Sequence, residues 1–455
     1  MHRESTMTQV RYPDGNVLLR NLNRDFPMIS HGKGIYLYDT NGNRYLDAVS
    51  GALVVSVGHG NQYVVDRIAS QLSRVAYING TQFTSMSAEV LAGRLSNLAA
   101  PLELNRCAFL SSGSEAVEAA IKFARQLAVE RGEVERTKLI ARNPSYHGNT
   151  LYALSASGRP HYKKAFGPLL KEVSTVSAPY QYRFPSDYHK EGADHYAREL
   201  EVVINREGGK NIFAFILEPI MGSAMGAAVP PAGYYEKIQA VCRKYGILMV
   251  ADEVLVGCGR TGTFFASEPL GLKPDMLVLG KGINGGYAPL SVLMVKDSHL
   301  QEMKKGTGNF MHAQTFLQAP CMTAAGLAVL EFMEHQHTIE HAAKMGELFH
   351  AKLQEQIAPL PNVGCINGKG LLAGIEFVDD KKIKAPYPRA KRIVEGLVAK
   401  GFEKGLTLWP NVGHVDGTNG DLILVGPPLI ISAVELDELI GRLKECILET
   451  FQGSA

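Results

Sequence analysis

The stretch ILMVADEV, residues 247–254, decides the fold class. Five apolar residues, Ile247 to Ala251, run straight into two carboxylates, Asp252 and Glu253. A run this short and this apolar suits a strand buried on both faces of a parallel sheet. Other parts of the chain repeat the pattern. CAFL (107–110), KLIA (138–141), IFAFIL (212–217) and DMLVLG (275–280) are also short, and each is followed by small or polar residues. Amphipathic helical patterns alternate with these runs. Glu115 to Ala128 places Ala116, Ala119, Ala120, Phe123 and Ala124 on one side and sets Glu118 four residues before Lys122. Near the C-terminus, Leu436, Leu439, Ile440, Leu443 and Ile447 make a helical stripe, with Ser432 and Glu435 as its capping box. Strands alternating with helices predict βαβ units and an α/β fold with a mainly parallel central sheet.

Length and composition set limits on the rest. A chain of 455 residues suggests about three domains by length alone, although α/β enzymes often use fewer and larger ones. With 45% apolar and 20% charged residues, it can bury a large core. A net charge of +2 with acids and bases intermixed gives no sign of a nucleic-acid partner. The six cysteines are scattered without a CxxC pair, which speaks against a zinc site or disulfide framework and for reduced thiols in a cytosolic enzyme. The opening residues MHRESTMTQVRYPDG are polar, unlike a signal peptide. The most apolar long window, Phe213 to Gly233, is broken by Glu218, Pro219 and two later prolines, so no transmembrane helix is expected. No repeat of solenoid length is visible. The last hundred or so residues, from about Ala325, read as a separate and smaller unit.

The residues with chemical potential sit just after the predicted strands. In open α/β sheets that is where ligands bind, in the crevice beyond the carboxyl ends. Ser111-Ser112-Gly113-Ser114-Glu115 follows CAFL and opens a helix; it reads either as a phosphate cradle or as an ordinary cap, and alone the cap is the commoner reading. Ser145-Tyr146-His147-Gly148 follows KLIA; its aromatic either stacks on a flat heterocycle or half-buries in a turn. Asp252 ends a strand too apolar to lie on the surface, so its carboxylate needs a partner, and a protonated ring nitrogen would serve. A helix N-cap or a magnesium ligand are the other readings; a single carboxylate without a P-loop makes the metal weak, and no metal is expected. Lys281 stands between Gly280 and Gly282. Small neighbours give access to its amine, and partial burial makes an amine nucleophilic toward an aldehyde. A solvated loop lysine is the alternative. The match to GxGxxG at residues 280–285 is a decoy, because Gly286 and Pro289 follow where a dinucleotide site needs a helix. Together the four sites supply a phosphate cradle, a stacking ring, a carboxylate for a pyridinium nitrogen and a carbonyl-capturing lysine, the set that pyridoxal phosphate (PLP) requires.

With those motifs in place, the sequence resembles the class III, or omega, aminotransferases, fold type I PLP enzymes. The resemblance runs from GIYLYDTNGNRYLDAVSGALVVSVGHG (34–60) through SSGSEAVEAAIKFAR, SYHGNT, LEPIMG, ADEVLVGCGRTG and LGKG to GPPLIIS near the C-terminus. Asp252 and Lys281 are 29 positions apart, as in that family. The resemblance implies a large domain over residues 61–324, with its mainly parallel sheet between helices. It implies a smaller α+β domain over residues 325–455, packed with an N-terminal segment, residues 1–60. Lys281 is then the Schiff-base lysine and proton shuttle, and Asp252 the partner of the pyridine nitrogen. Ser112, Gly113 and Ser114 hold the phosphate, Tyr146 stacks on one ring face, Val254 packs on the other, and His147 belongs to the same cofactor pocket. Thr315 matches a threonine that reaches the phosphate of a neighbouring subunit, which implies a homodimer with shared active sites, alone or as half of a tetramer. Leu53, Tyr146, Glu218 and Trp409 fall in the substrate pocket.

Three departures stand out. HAQTFLQAP keeps Thr315 but has Ala313 and Ala319 where relatives commonly have glycine and histidine. Asn367-Gly368-Lys369-Gly370-Leu371 lacks an arginine of the corresponding motif. LWPNVGHVDGTNGDLILVGPPL, ahead of the PPL motif, lacks the arginine that binds a substrate carboxylate in many members, leaving Arg183 or Arg260 to substitute. The expected function is ping-pong transfer of an amino group from a primary amine or omega-amino acid to a keto acid, pyruvate or 2-oxoglutarate, in the cytoplasm. A PLP-dependent isomerase (an epimerase or aminomutase) and a non-catalytic PLP-binding protein are the alternatives. The isomerase would consume no keto acid, and the binding protein would usually carry a DNA-binding domain.

Overall fold

The computed structural model describes residues 8–452; residues 1–7, the first part of the polar opening segment, and 453–455 lie outside it. The five apolar runs become strands of one seven-stranded sheet. Its strands are β1 (Arg106–Leu110), β2 (Lys138–Asn143), β3 (Ser174–Ser177), β4 (Ile212–Leu217), β5 (Leu248–Asp252), β6 (Met276–Leu279) and β7 (Ser291–Val295). In space they run β1-β7-β6-β5-β4-β2-β3. Only β7 is antiparallel to its neighbours, so the sheet is mainly parallel as read from the sequence.

Side chains alternate between two buried faces, which is why the runs show no polar alternation. Ile140, Phe215, Met249 and Leu277 enter one core, while Leu139, Ile216, Val250 and Val278 enter the other. The first core is covered by helices Met86–Leu98, Tyr188–Glu207 and Tyr234–Tyr245. The second is covered by α1 (Gly113–Glu130), whose Ala116, Ala119, Ala120, Phe123 and Ala124 are all buried.

A second, antiparallel sheet contains β8 (Val363–Gly368), β9 (Ala373–Phe377), β10 (Trp409–Val412) and β11 (Asp421–Val425), in the order β8-β9-β11-β10. Helix α2 (Ala433–Gln452) packs here through Leu436, Leu439, Ile440, Leu443 and Ile447, and Ser432 accepts from the Glu435 N–H while the Glu435 carboxylate accepts from the Ser432 N–H. Residues far earlier in the chain, Ile35, Leu46, Ala48, Val57 and Val64, join that same core. Helix Pro320–His335 serves both units: Met322, Leu327 and Leu330 face the large-sheet core, and Ala328, Val329 and Met333 face the second.

Among the described residues all six cysteines are free, and no helix is long and apolar enough to cross a membrane. No group of three or more His, Cys, Asp or Glu side chains is placed to hold a metal ion among them.

Candidate active site

Strand register brings the chemistry together. Ala251 of β5 pairs with Leu217 of β4, and Asp252 pairs with Val278 of β6. The carboxyl ends of these strands are therefore level, and Glu218, Asp252 and Lys281 emerge on adjacent strands. One cavity is lined by Gly113, Ser114, Tyr146, His147, Gly148, Glu218, Ser223, Asp252, Val254, Leu255 and Lys281.

At the end of β1, Ser112 caps α1. Its hydroxyl accepts from the Glu115 N–H at 3.3 Å, and the Glu115 carboxylate accepts from the Ser111 and Ser112 N–H groups at 2.9 and 3.0 Å. The cap was readable in sequence; its consequence for a ligand is that the N–H groups of Gly113 and Ser114, in the first helical turn, have no intrahelical acceptor. They open on the cavity with the positive end of the helix dipole.

Asp252 sits two residues beyond Val250 and so faces the side covered by α1. It is 4% exposed and already has two donors: the Val254 N–H to Oδ1 at 3.1 Å and His147 Nδ1 to Oδ2 at 2.7 Å. His147 is itself buried, its N–H donating to Ser157 Oγ at 2.8 Å. With the ring proton on Nδ1, Nε2 has no partner among the described residues and no N–H is stranded there. The reading of His147 as a pocket residue thus gains a specific contact: it orients the Asp252 carboxylate. That pairing joins positions 105 apart and has no local sequence signal.

Lys281 follows β6 on a short helical turn, Lys281–Ile283, with a left-handed φ of 47°. No regular helix follows Gly285 and Gly286, in keeping with rejection of a dinucleotide loop. Burial pushes the Lys281 ammonium down to about 8; Asp252 and Glu218 oppose that shift, and Arg260 and Arg159 add to it. Glu218 is 4% exposed, and burial raises its carboxyl above the ordinary range. Its oxygens accept from the Tyr146 N–H at 3.1 Å and the Gly222 N–H at 2.7 Å, so it fastens the Tyr146 loop to the end of β4.

The remaining expected residues are placed as follows. Val254 lines the cavity wall. Leu53 and Trp409 pack in an apolar cluster that includes Leu255, which itself lines the cavity. Thr315 lies on an exposed loop and does not line this cavity within the single chain. Both arginines suggested as carboxylate binders are engaged elsewhere. Arg183 forms an ion pair with Glu376 and donates to the Lys384 carbonyl. Arg260 donates to the Leu371 carbonyl at 3.0 Å, the Pro427 carbonyl at 2.5 Å and Ser50 Oγ at 3.2 Å. Sequence reasoning passed over Leu255, Ser223 and Glu253. Glu253, 1% exposed, accepts from the Ala266 and Ser267 N–H groups and is pushed up to about 7 by burial. The apolar run before it was the available signal that it, like Asp252, is buried.

Comparison with known proteins matches this geometry to a family. A model of the class III aminotransferases matches residues 20–447. The chain belongs to the class III aminotransferase family. This class III aminotransferase is 38% identical over 426 residues to the uncharacterised aminotransferase YodT of Bacillus subtilis, covering 94% of this chain and 96% of that one. It is 35% identical to the crystal structure of an (S)-enantioselective omega-transaminase from Thermomicrobium roseum, with a TM-score of 0.89 and coverage of 97% and 96%. An omega-transaminase from Pseudomonas jessenii in complex with PMP is 34% identical, with a TM-score of 0.87 and coverage of 93% of each chain. The fold is that of PLP enzymes of fold type I, and the activity is PLP-dependent transamination.

The residues of this aminotransferase fit that cofactor. A Cβ at Gly113 would lie 2.8 Å from Val254 Cγ1, so glycine is what allows the helix start and the Val254 wall to close on one narrow slot. The cavity is lined by the start of α1 at Gly113 and Ser114, the buried Asp252, Tyr146 and Lys281, whose ammonium burial lowers to about 8.

Proposed function

We propose that Lys281, Asp252, Ser112, Gly113, Ser114, Tyr146, His147 and Val254 hold pyridoxal phosphate, and that Lys281 is the base of a ping-pong transamination. The donor is a primary amine or omega-amino acid and the acceptor a keto acid. The observation that supports this most is the meeting, in one cavity, of a lysine whose ammonium burial lowers to about 8 and a buried carboxylate fixed by two N–H donors. When bound, the cofactor supplies an aldehyde carbon that takes the amino group and a protonated ring that withdraws electrons from the bond being broken.

The chain does the rest. Asp252 holds a proton at the ring nitrogen by presenting a fixed negative charge there. His147 and the Val254 N–H keep the carboxylate from rotating away. Gly113 and Ser114 N–H groups bind the phosphate, with Ser112 shaping the helix start. Tyr146 and Val254 flatten the slot and exclude water from its faces. Lys281 Nζ takes the proton from the donor carbon and delivers it to the cofactor carbon that receives nitrogen; the acceptor half runs the same transfer backward. Leu53, Glu218 and Trp409 shape the substrate side.

A homodimer in which Thr315 reaches the neighbouring site belongs to the same proposal, supported by the exposure of its loop. So do a cytoplasmic location and the division into residues 1–60, 61–324 and 325–455. The shared core of residues 35–64 with the second sheet supports that division.

The test is spectroscopic. Cofactor bound at Lys281 gives a long-wavelength absorption band; a primary amine added without acceptor abolishes it, and a keto acid restores it. A band that no amine in a broad panel moves refutes transamination at this site. The lowered Lys281 value carries a further expected result. Only the neutral amine attacks an aldehyde, so the rate of cofactor uptake by stripped protein rises about tenfold per pH unit below about 8 and levels off above it. Stopped-flow absorbance across pH 6–10 measures it; a rise continuing to about pH 10 contradicts the desolvated setting of the amine.

A further inference from the structure

Arg159 is 6% exposed and stands beside the cavity, yet no carboxylate lies within ion-pair distance of it among the described residues. An uncompensated buried guanidinium is costly, and arginine does not escape that cost by losing its proton at neutral pH. Its Nη2 donates to Asn411 Oδ1 at 2.5 Å and to Ser223 Oγ at 3.3 Å. Ser223 lines the cavity. The guanidinium carbon lies 5.4 Å from the ring centroids of both Tyr146 and Tyr162. Those contacts orient the fork and leave N–H donors over.

The mounting is rigid. The Gly158 N–H donates to the Ser145 carbonyl at 3.0 Å and to Ser145 Oγ at 3.1 Å, which ties the arginine to the loop carrying Tyr146. A Cβ at Gly158 would lie 2.6 Å from Asn143 Oδ1 and 2.8 Å from two backbone atoms, so only glycine permits that approach. On the far side, Asn411 is anchored by its Nδ2 donating to the Ala224 carbonyl at 3.1 Å. Glu218, a carboxylate that acts on Arg159, has both oxygens engaged by backbone N–H groups. Arg260 also acts on Lys281, but both Nη1 donors are held by the Leu371 and Pro427 carbonyls and one Nη2 donor by Ser50 Oγ, which ties it to the second sheet's side. Arg159 is therefore an arginine beside the cavity that keeps N–H donors over, and its partner Ser223 lines that cavity. Asn411, its partner, stands sixteen positions before Pro427, inside the segment that lacks an arginine of its own.

We infer that Arg159 binds the carboxylate of the substrate, so that the acceptor is a small keto acid held with its carboxylate against the Arg159 fork on the Tyr146 side of the cavity. This rests on the transaminase reading given above. The guanidinium supplies two parallel N–H donors to the carboxylate, and Asn411 and Ser223 fix its plane. Arg159 is a specificity-determining residue, and an amine or aldehyde without a carboxylate forgoes this contact.

The experiment compares pyruvate and propanal as acceptors for the cofactor-loaded, amine-charged protein, in wild type, Arg159→Gln and Arg159→Lys. The ratio of kcat/KM for pyruvate to that for propanal falls about 100-fold in Arg159→Gln, chiefly through KM, and about tenfold in Arg159→Lys. Calorimetric titration with propionate reads the same site without turnover: its Kd rises at least about tenfold in Arg159→Gln, while propionamide binding is alike in both proteins. An unchanged ratio, an equal loss on both acceptors, or a wild type that uses propanal but no keto acid each overturns the inference. Equal loss assigns Arg159 to holding Tyr146 alone. If no acceptor or amine reacts with any variant, the transaminase reading fails, and the propionate titration still decides whether Arg159 binds a carboxylate.

Discussion

Lys281→Ala folds as the wild type does, takes up cofactor without a covalent link, and turns over at least about 10⁴-fold more slowly. The reason is that two roles are lost with one amine: capture of the cofactor aldehyde and movement of the proton. No other amine lines the cavity. The fold is spared because the side chain makes no ion pair among the described residues and ends a turn rather than a packed strand. Its left-handed φ of 47° is as available to alanine as to lysine. Stability moves in a defined direction in cofactor-free protein. The folded ammonium is held near 8 and the unfolded one near its ordinary 10.5. Below about pH 8 both states are charged and the wild type carries the full penalty of a desolvated ammonium. Lys281→Ala removes that penalty, so its melting temperature exceeds the wild type's at neutral pH, and the gap closes as pH rises toward 10.5. Thermal melts at pH 7 and 10 and single-turnover absorbance measure the two effects. Turnover within tenfold of wild type removes Lys281 from the mechanism.

How much of this site could be read in the chain follows from whether each signal is local. The strand runs announced themselves because both faces of the sheet are buried, which leaves uninterrupted apolar letters. Ser112 and Glu115, three positions apart, mark the start of α1, and the cap forms as read. Asp252 was conspicuous because a carboxylate ending such a run has no solvent to face. The contacts made by tertiary folding were silent. His147 reaches Asp252 across 105 positions, and Arg159 reaches Asn411 across 252. The choice of Arg183 or Arg260 as carboxylate binder went astray for the same reason: a sequence shows that an arginine exists but not what its donors already hold. Arg183 is neutralised by Glu376, and Arg260 stitches the Pro427 and Leu371 carbonyls to Ser50. The core shared between residues 35–64 and the second sheet was expected only through resemblance, because the apolar residues involved are too far apart in the chain to show a common period.

Asp252→Asn lowers turnover about 10²- to 10³-fold while keeping the shape of the side chain. Asparagine carries no charge, so nothing holds a proton on the ring nitrogen, and the electron-withdrawing form of the ring is lost. The substitution also disturbs the protein. Two donors, the Val254 N–H and His147 Nδ1, converge on the two carboxylate oxygens at 3.1 and 2.7 Å. An asparagine offers one acceptor oxygen for both. If that oxygen stays with Val254, the amide N–H₂ faces His147, whose ring must shift its proton to Nε2. That nitrogen is buried with no acceptor among the described residues. If the oxygen turns to His147, the Val254 N–H is orphaned instead. Either way a buried donor goes unsatisfied, at a cost of about 1–3 kcal/mol. Asp252→Glu keeps the charge but adds a methylene to a side chain 4% exposed, so it retains ring protonation while straining the same pocket. The pair separates the two effects. Equal loss of melting temperature with a large loss of turnover only in Asp252→Asn assigns catalysis to the charge. Turnover in Asp252→Asn within about threefold of wild type reduces Asp252 to a structural acceptor for His147 and Val254, and the ring nitrogen must then find its partner elsewhere.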